Sequence, residues 1–159
     1  MGADTGGRSK AAERDEHAAL FAWVAACRGQ CPALGLVLHV PNEGRRAPWV
    51  AARDGIRAGV PDVLVLMPAH GLAGLAIELK GAAGRLTEAQ RGWLARLDAA
   101  GWLALVAHFR LPGDWIAAAG TIAQYVGRPD LVPDGWRERE GDVILRPPWG
   151  PSRAAGGLT

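Results

Sequence analysis

Apolar residues in the middle of the chain fall into two short runs that predict neighbouring β-strands. The first run, Val63–Met67, is continuously apolar and lies between prolines, which is typical of a strand buried on both faces. The second run, Leu75–Lys80, alternates, so its large aliphatic residues share one face while Glu78 and Lys80 share the other. We therefore expect an antiparallel hairpin about a loop near His70.

The rest of the chain predicts helices and strands on both sides of this hairpin. Helices are expected from near Ala11 or Ala12 to about Arg28, from Pro48 to about Arg57, from Thr87 to Gly101 and from Trp115 to Tyr125, with strands at Leu34–Val40 and Trp102–Ala107. This order of elements predicts an α/β fold, in which one domain contains a mixed β-sheet flanked by helices.

The two ends of the chain differ in composition from the middle. Residues 1–10 are Gly-rich and polar and are predicted to be disordered, and residues 11–127 form the domain. Residues 128–159 are rich in Pro and Gly and predict a loosely structured C-terminal extension with one short strand at Val143–Leu145. Trp136 and Trp149 of this extension either pack back on the domain or anchor a partner subunit.

Composition favours a single-domain protein without disulfides, a structural zinc site or a membrane span. A chain of 159 residues has the size of one domain, and its net charge of +2 permits nucleic-acid binding without requiring it. The 2 cysteines are too few for a disulfide framework or a structural zinc site, so both are expected to be reduced. No apolar run reaches the roughly 18 residues of a membrane span, and the amino terminus lacks a basic-then-apolar pattern, so neither a membrane span nor a secretory signal is expected. We expect a soluble, cytoplasmic protein.

Two carboxylates are expected to meet at the open end of the hairpin. Asp62 and Glu78 are equally far from His70 along the chain, so antiparallel pairing places them opposite each other. Neighbouring carboxylates oppose each other's ionisation, and a hard cation such as Mg²⁺ removes this conflict. Lys80 could then position water or neutralise charge on a phosphoryl group. This set suits phosphodiester hydrolysis, whereas the alternative is a surface hairpin with an ordinary ion pair.

These residues resemble a known nuclease signature. Pro61-Asp62 followed by Glu78-Leu79-Lys80 resembles the PD-(D/E)XK motif, and a wider frame resembles its VRR-NUC branch. The frame consists of His39-Val-Pro-Asn42, Gly59-Val-Pro-Asp62, Ile77-Glu-Leu-Lys80 and Leu86-Thr-Glu-Ala-Gln90. The resemblance extends roughly from Glu13 to Val106 and implies a restriction-endonuclease-like fold.

The resemblance also implies a role for each residue of the motif. Asp62, Glu78 and the backbone carbonyl of Leu79 would bind Mg²⁺ or Mn²⁺, and Lys80 would act on the nucleophilic water. The implied activity is that of a divalent-metal-dependent DNA endonuclease. Stand-alone members of the family resemble junction resolvases, which implies a homodimer acting on branched DNA such as four-way (Holliday) junctions. The alternative is a non-catalytic nucleic-acid-binding or assembly module that retains the fold.

Two further side chains are expected to support the site. The family places a metal-facing or water-binding Glu on the first helix, and we assign it to Glu16, although His17 follows where the family commonly has Gln. Glu13 lies on or beside the same stripe, and either acid could instead stabilise the helix dipole. Gln90 has two competing roles, as the partner of Thr87 in a capping box or as a side chain that faces the active site.

Residues before the Gly-Val-Pro-Asp turn are candidates for DNA contacts. His39 and Asn42 resemble the family's loop motif beside the site, although His39 could also be a strand-end histidine with a local hydrogen bond. Four arginines follow them and could contact substrate phosphates, namely Arg45, Arg46, Arg53 and Arg57. The alternative for the arginines is a solvated charged face.

Overall fold

The computed structural model describes residues 5–41, 55 and 57–136, and of residues 5–12 only the backbone. Its helices are α1 (Thr5–Cys27), α2 (Glu88–Ala99) and α3 (Trp115–Tyr125), its strands are β1 (Val37–His39), β2 (Val63–Val65), β3 (Leu75–Gly81) and β4 (Leu103–Phe109), and short 3₁₀-helices span Pro32–Leu36 and Pro129–Leu131. None of the described helices combines the length and the apolar character that a membrane span requires.

The four strands form one mixed sheet in the order β1-β2-β3-β4. β1 pairs antiparallel with β2, β2 pairs antiparallel with β3, and β3 pairs parallel with β4. The last pair is parallel because α2 carries the chain from the end of β3 back to the start of β4, as a crossover must. The predicted α/β fold with a mixed sheet flanked by helices is confirmed.

The hairpin between β2 and β3 turns at His70 and Gly71. Ala69 and Leu72 exchange backbone hydrogen bonds of 3.1 and 2.8 Å, and the two residues between them have φ values of +52° and +74°. Positive φ at both central positions is typical of the tight turn that matches the twist of two antiparallel strands. The β2–β3 ladder pairs Val63 with Ile77, one residue out of register with the Ala69–Leu72 bridge, and its centre falls on His70 as predicted.

The sheet is covered on both faces where β3 and β4 run side by side. One face packs with α1 and α3 into the larger core, which includes Leu20, Ile77 and Ile122. On the other face, Leu94 of α2 packs against Ala76, Ala104 and Val106. Ala76 and Glu78, which β3 directs toward α2, are thereby removed from water, whereas Lys80 nearer the end of the strand keeps partial exposure.

Several predicted boundaries differ from the structure. The expected strand at Leu34–Val40 starts only at Val37, because Pro32, at the first positions of the turn, favours the 3₁₀-helix that precedes the strand. α1 begins at Thr5 instead of near Ala11 or Ala12, so it includes residues 5–10, which the composition predicts to be disordered. No proline stops the helix in this segment, although Gly6 and Gly7 disfavour it. Of the predicted helix at Pro48–Arg57 the structure describes only Gly55, which lies in a turn, and Arg57, which is not helical. The predicted strand at Val143–Leu145 lies outside the described residues.

The chain beyond α3 packs back on the helices. Leu131 contacts the larger core, and its carbonyl accepts a hydrogen bond of 3.2 Å from Trp23 Nε1. The indole of Trp136 lies on α3 at Gly120, where an added Cβ atom would come within 1.8 Å of the ring. Of the two alternatives for Trp136, the structure supports packing against its own domain, whereas Trp149 lies outside the described residues.

The contact between Gly120 and Trp136 predicts that a glycine-to-alanine substitution in α3 destabilises the protein. Replacing glycine by alanine inside a helix normally stabilises it by about 1 kcal/mol. Gly120→Ala should instead lower the midpoint of thermal unfolding, because the new methyl group displaces the indole of Trp136.

Gly92 of α2 provides the matched control, since its added Cβ atom would lie no closer than 3.4 Å to Arg96. Gly92→Ala should raise the midpoint, and Gly120→Ala should do the same in a Trp136→Ala background. A stabilising Gly120→Ala in the otherwise unchanged protein would contradict the packing of Trp136.

Candidate active site

Asp62 is fixed to the edge of β3 just beyond the last pair of the β2–β3 ladder. Its Oδ2 accepts a hydrogen bond of 2.9 Å from the backbone N–H of Leu79. The carboxylate thus takes the position of a strand carbonyl and continues the pairing of β3 by one step. This placement agrees with the register that puts Asp62 opposite Glu78.

Glu78 is fully buried, and one of its two oxygens collects two donors. Lys80 Nζ lies 2.7 Å from Oε1, and Gln90 Nε2 donates to the same Oε1. Glu78 and Lys80 therefore share a face of β3 as their alternation predicts. Glu78 Oε2 is also buried, and no described N–H or O–H group donates to it, while the Asp62 carboxylate, itself an acceptor, lies within hydrogen-bonding reach of the Glu78 carboxyl group. A buried polar atom without a partner is rare in a folded protein and requires an explanation.

The surroundings of Glu78 disfavour its charge. Burial and then the negative charge of Asp62 raise the pKa of Glu78 from 4.5 to about 7, while the hydrogen bond and positive charge of Lys80 act in the opposite direction. The effect of desolvation on the pKa of Glu78 is thus larger than the opposing effect of its ion pair with Lys80. Without a further positive charge, protonated and ionised Glu78 coexist near neutral pH.

The side chain of Gln90 contacts both Thr87 and Glu78. Its Oε1 accepts a hydrogen bond of 2.9 Å from the Thr87 N–H, while Thr87 Oγ1 accepts one of 3.2 Å from the Gln90 N–H, which completes a capping box. The amide nitrogen at the other end of the side chain donates to Glu78. The two roles do not compete, because they use opposite ends of the amide.

The acids of α1 are placed differently from the prediction. Glu16 accepts hydrogen bonds of 2.8 Å from the N–H groups of Gly113 and Trp115, so its two oxygens cap the beginning of α3. Glu13 instead reaches β3, where its Oε2 accepts a hydrogen bond of 3.1 Å from the Gly81 N–H. Glu16 is therefore held at the beginning of α3, and Glu13 is the acid of α1 that contacts the strand of Glu78 and Lys80.

The predicted DNA contacts are only partly described. His39 is exposed at the end of β1, where it pairs with Val63, the residue after Asp62. Its ring centroid lies 4.2 Å from that of His17. Arg57 is exposed. The remaining candidates, Asn42, Arg45, Arg46 and Arg53, lie outside the described residues.

The donor atoms at this site suit a small, hard divalent cation. Asp62 and the unpartnered Oε2 of Glu78 provide carboxylate oxygens, and the Leu79 carbonyl faces the same side as the Leu79 N–H that binds Asp62. Within the described ranges, no group of three or more His, Cys, Asp or Glu side chains is arranged to hold a metal ion. Two carboxylates and a carbonyl agree with Mg²⁺ or Mn²⁺, which retain several waters.

The raised pKa of Glu78 predicts that the metal-free protein loses stability as the pH rises from about 4.5 to about 7. In this window the unfolded chain has already released the Glu78 proton while the folded chain retains it, so the unfolding free energy falls with pH. The difference between the two pKa values corresponds to a loss of about 3 kcal/mol. Urea unfolding in EDTA across this range measures it.

Glu78→Gln is the control for this measurement, because the amide keeps the shape of the side chain but cannot ionise. The difference in unfolding free energy between the two proteins should change across the window, in favour of the variant at higher pH. Parallel pH profiles for the two proteins would rule out a raised pKa at Glu78.

Comparisons with known proteins agree with the motif. A model of the VRR-NUC domain matches residues 30–110, just over half of the 159-residue chain. A solved structure described as a VRR_NUC domain protein is 25% identical, with 60% of this chain and 70% of that chain covered and a TM-score of 0.48. No curated protein matches the chain. The matched span contains Asp62, Glu78, Lys80 and Gln90, and the chain therefore belongs to the VRR-NUC family of nuclease domains.

Proposed function

We propose that this protein is a Mg²⁺- or Mn²⁺-dependent DNA endonuclease that hydrolyses phosphodiester bonds. The observation that carries the proposal is the buried Glu78, with Oε1 held by two donors, Oε2 without a described donor, and the Asp62 carboxylate beside it. A carboxylate buried only to form an ion pair would be expected to have both oxygens satisfied. An open ligand oxygen beside a second carboxylate is the arrangement that a metal-dependent nuclease requires.

Asp62, Glu78 and the carbonyl of Leu79 would hold the ion. When bound, the ion would supply Lewis-acid polarisation of a phosphate oxygen and lower the pKa of a water molecule. Glu78 must be ionised to act as a ligand, and the ammonium group of Lys80 at 2.7 Å favours that state. Gln90 holds the same oxygen, so the carboxylate cannot rotate freely.

We assign to Lys80 the contact with the attacking water or the phosphate. Its side chain is 14% exposed, so the ammonium group remains within reach of solvent while it contacts buried Glu78. An ammonium group has three donors, and the contact with Glu78 uses one of them. The others can orient the attacking water or stabilise negative charge that develops on the phosphate.

Glu13 replaces Glu16 in this proposal as the acid of α1 at the site. It binds the N–H of Gly81, the residue that follows Lys80 on β3. From this position its carboxylate can assist in orienting Lys80 or a water molecule. Glu16 retains a structural role at the beginning of α3.

The finer proposal is selectivity for branched DNA by a homodimer. It rests on the resemblance to junction resolvases, and a dimer would present two sites to two strands. His39, Asn42 and the four arginines at 45, 46, 53 and 57 are proposed to contact the DNA. His39 pairs with Val63, the residue after Asp62, and this position supports a DNA contact by His39.

Substitution of the central residues should abolish Mn²⁺-dependent DNA cleavage. Lys80→Ala removes the group that acts on water or phosphate, and Asp62→Asn removes a ligand charge while leaving an acceptor for the Leu79 N–H. Each should lower the cleavage rate roughly a thousandfold or more, which corresponds to about 4 kcal/mol of transition-state stabilisation. Gel assays of single-turnover cleavage measure this.

Asp15→Asn serves as the matched control, because Asp15 is an exposed carboxylate on α1. It should cleave at the wild-type rate. Near-wild-type rates in Lys80→Ala or Asp62→Asn would discard the assignment of these residues. DNA binding that is independent of Mg²⁺, with no products from any substrate, would favour the alternative of a non-catalytic nucleic-acid-binding module.

Substrate selectivity is tested with linear, flapped and four-way DNA of matched sequence. We expect the four-way junction to be cut faster than the linear duplex at equal Mn²⁺ concentration. Equal rates on all three substrates would remove the proposed branch selectivity without affecting the nuclease assignment.

A further inference from the structure

Gly59, in the segment that leads to Asp62, touches the backbone of α2. A Cβ atom added at Gly59 would lie 2.6 Å from the carbonyl carbon of Ala89 and 2.7 Å from the nitrogen of Gln90. These are backbone atoms of a helix, so rotation of a side chain could not relieve the overlap. Gly59 also has a φ of +84°, which residues with a Cβ rarely adopt.

A second contact fastens α2 to the same segment. Trp93 Nε1 donates a hydrogen bond of 3.1 Å to the carbonyl of Ala58. Ala89 and Trp93 are four residues apart and therefore lie on one side of the helix. Ala58 and Gly59 together form what we call the α2 seat, which meets the helix at two points about one turn apart.

The turn that rests on the α2 seat carries Gln90. The side chain of Gln90 is held at both ends, by the Thr87 N–H at its oxygen and by Glu78 at its nitrogen. It consequently cannot follow a displacement of the helix by rotating about its own bonds without losing one of these partners. A small movement of the first turn of α2 would therefore move the amide away from Glu78.

We propose that Gly59 is a positioning residue that acts through Gln90, and this inference rests on the proposed nuclease function. The missing side chain of Gly59 lets α2 approach until Gln90 reaches Glu78. Asp62, three residues after Gly59, binds the Leu79 N–H on the neighbouring side of the site. One short segment thus places both the carboxylate opposite Glu78 and the amide that holds Glu78.

Gly59→Ala tests the proposal in a cycle with Gln90→Ala. Displacement of a positioned group by about 1 Å can cost roughly a hundredfold in rate. We expect Gly59→Ala to lower kcat for Mn²⁺-dependent cleavage by that order with little change in KM, to about the level of Gln90→Ala. In the double variant, Gly59→Ala should cause no further loss.

Gly101 at the end of α2 is the matched control. It has the same φ of +84°, but nothing lies within 4 Å of its added Cβ atom. Gly101→Ala therefore introduces the same backbone strain without the collision, and it should retain wild-type kcat. If Gly59→Ala does not fold, Trp93→Phe weakens the α2 seat more mildly, and its smaller loss of kcat should likewise vanish in the Gln90→Ala background.

A second readout does not depend on cleavage. The side-chain amide of Gln90 in the metal-free protein is identified by NMR as the resonance missing from Gln90→Ala. In Gly59→Ala this resonance should move toward that of a solvated glutamine and exchange faster, whereas in Gly101→Ala it should not. An unchanged Gln90 amide, or losses of kcat that multiply in the double variant, would overturn the proposal. If the wild-type protein cuts no DNA, the proposed function fails while the amide measurement still decides the positioning.

Discussion

The site depends on a carboxylate that is buried against its electrostatic preference. Glu78 lies on the central strand β3, and α2 closes the face of the sheet toward which it points. Burial and the neighbouring Asp62 both favour the protonated form, and the ion pair with Lys80 does not fully compensate. Buried ion pairs commonly gain little net stability, because desolvation offsets the attraction. The burial of Glu78 therefore does not favour the stability of the fold, which agrees with the proposed role of Glu78 as a ligand.

The fold provides the rigid parts that hold this carboxylate in place. β3 is paired on both sides, with β2 antiparallel and β4 parallel, so its backbone cannot shift alone. The capping box fixes the conformation of the first turn of α2, and the contact at Gly59 fixes the distance between this turn and the sheet. Lys80 of β3 and Gln90 of α2 thus both contact Glu78 Oε1, and each of these two elements is fixed by its own contacts with the rest of the fold. Interactions of this kind favour a single geometry, which a metal site needs.

The parts of the site that follow from local periodicity could be predicted from the sequence. Alternation in β3 places Glu78 and Lys80 on one face, and the symmetry of the hairpin about His70 places Asp62 opposite Glu78. Which acid of α1 contacts β3 could not be predicted, because Glu13 and Glu16 lie near the same stripe and only the docking of the helix distinguishes them. The burial of Glu78 was also not predictable, since it depends on α2 packing over β3 from a distant part of the chain.

The two acids of α1 have a joint geometric consequence. Glu13 binds the end of β3 at Gly81, and Glu16, about one turn later, binds the N–H groups of Gly113 and Trp115 just after β4. The carboxyl ends of two adjacent parallel strands are therefore bridged by a single helix at two levels. Rotation per residue is about 100°, so inserting one residue between these acids would leave at most one of the two attachments intact. The spacing of the two glutamates along α1 thus matches the separation between the end of β3 and the beginning of α3.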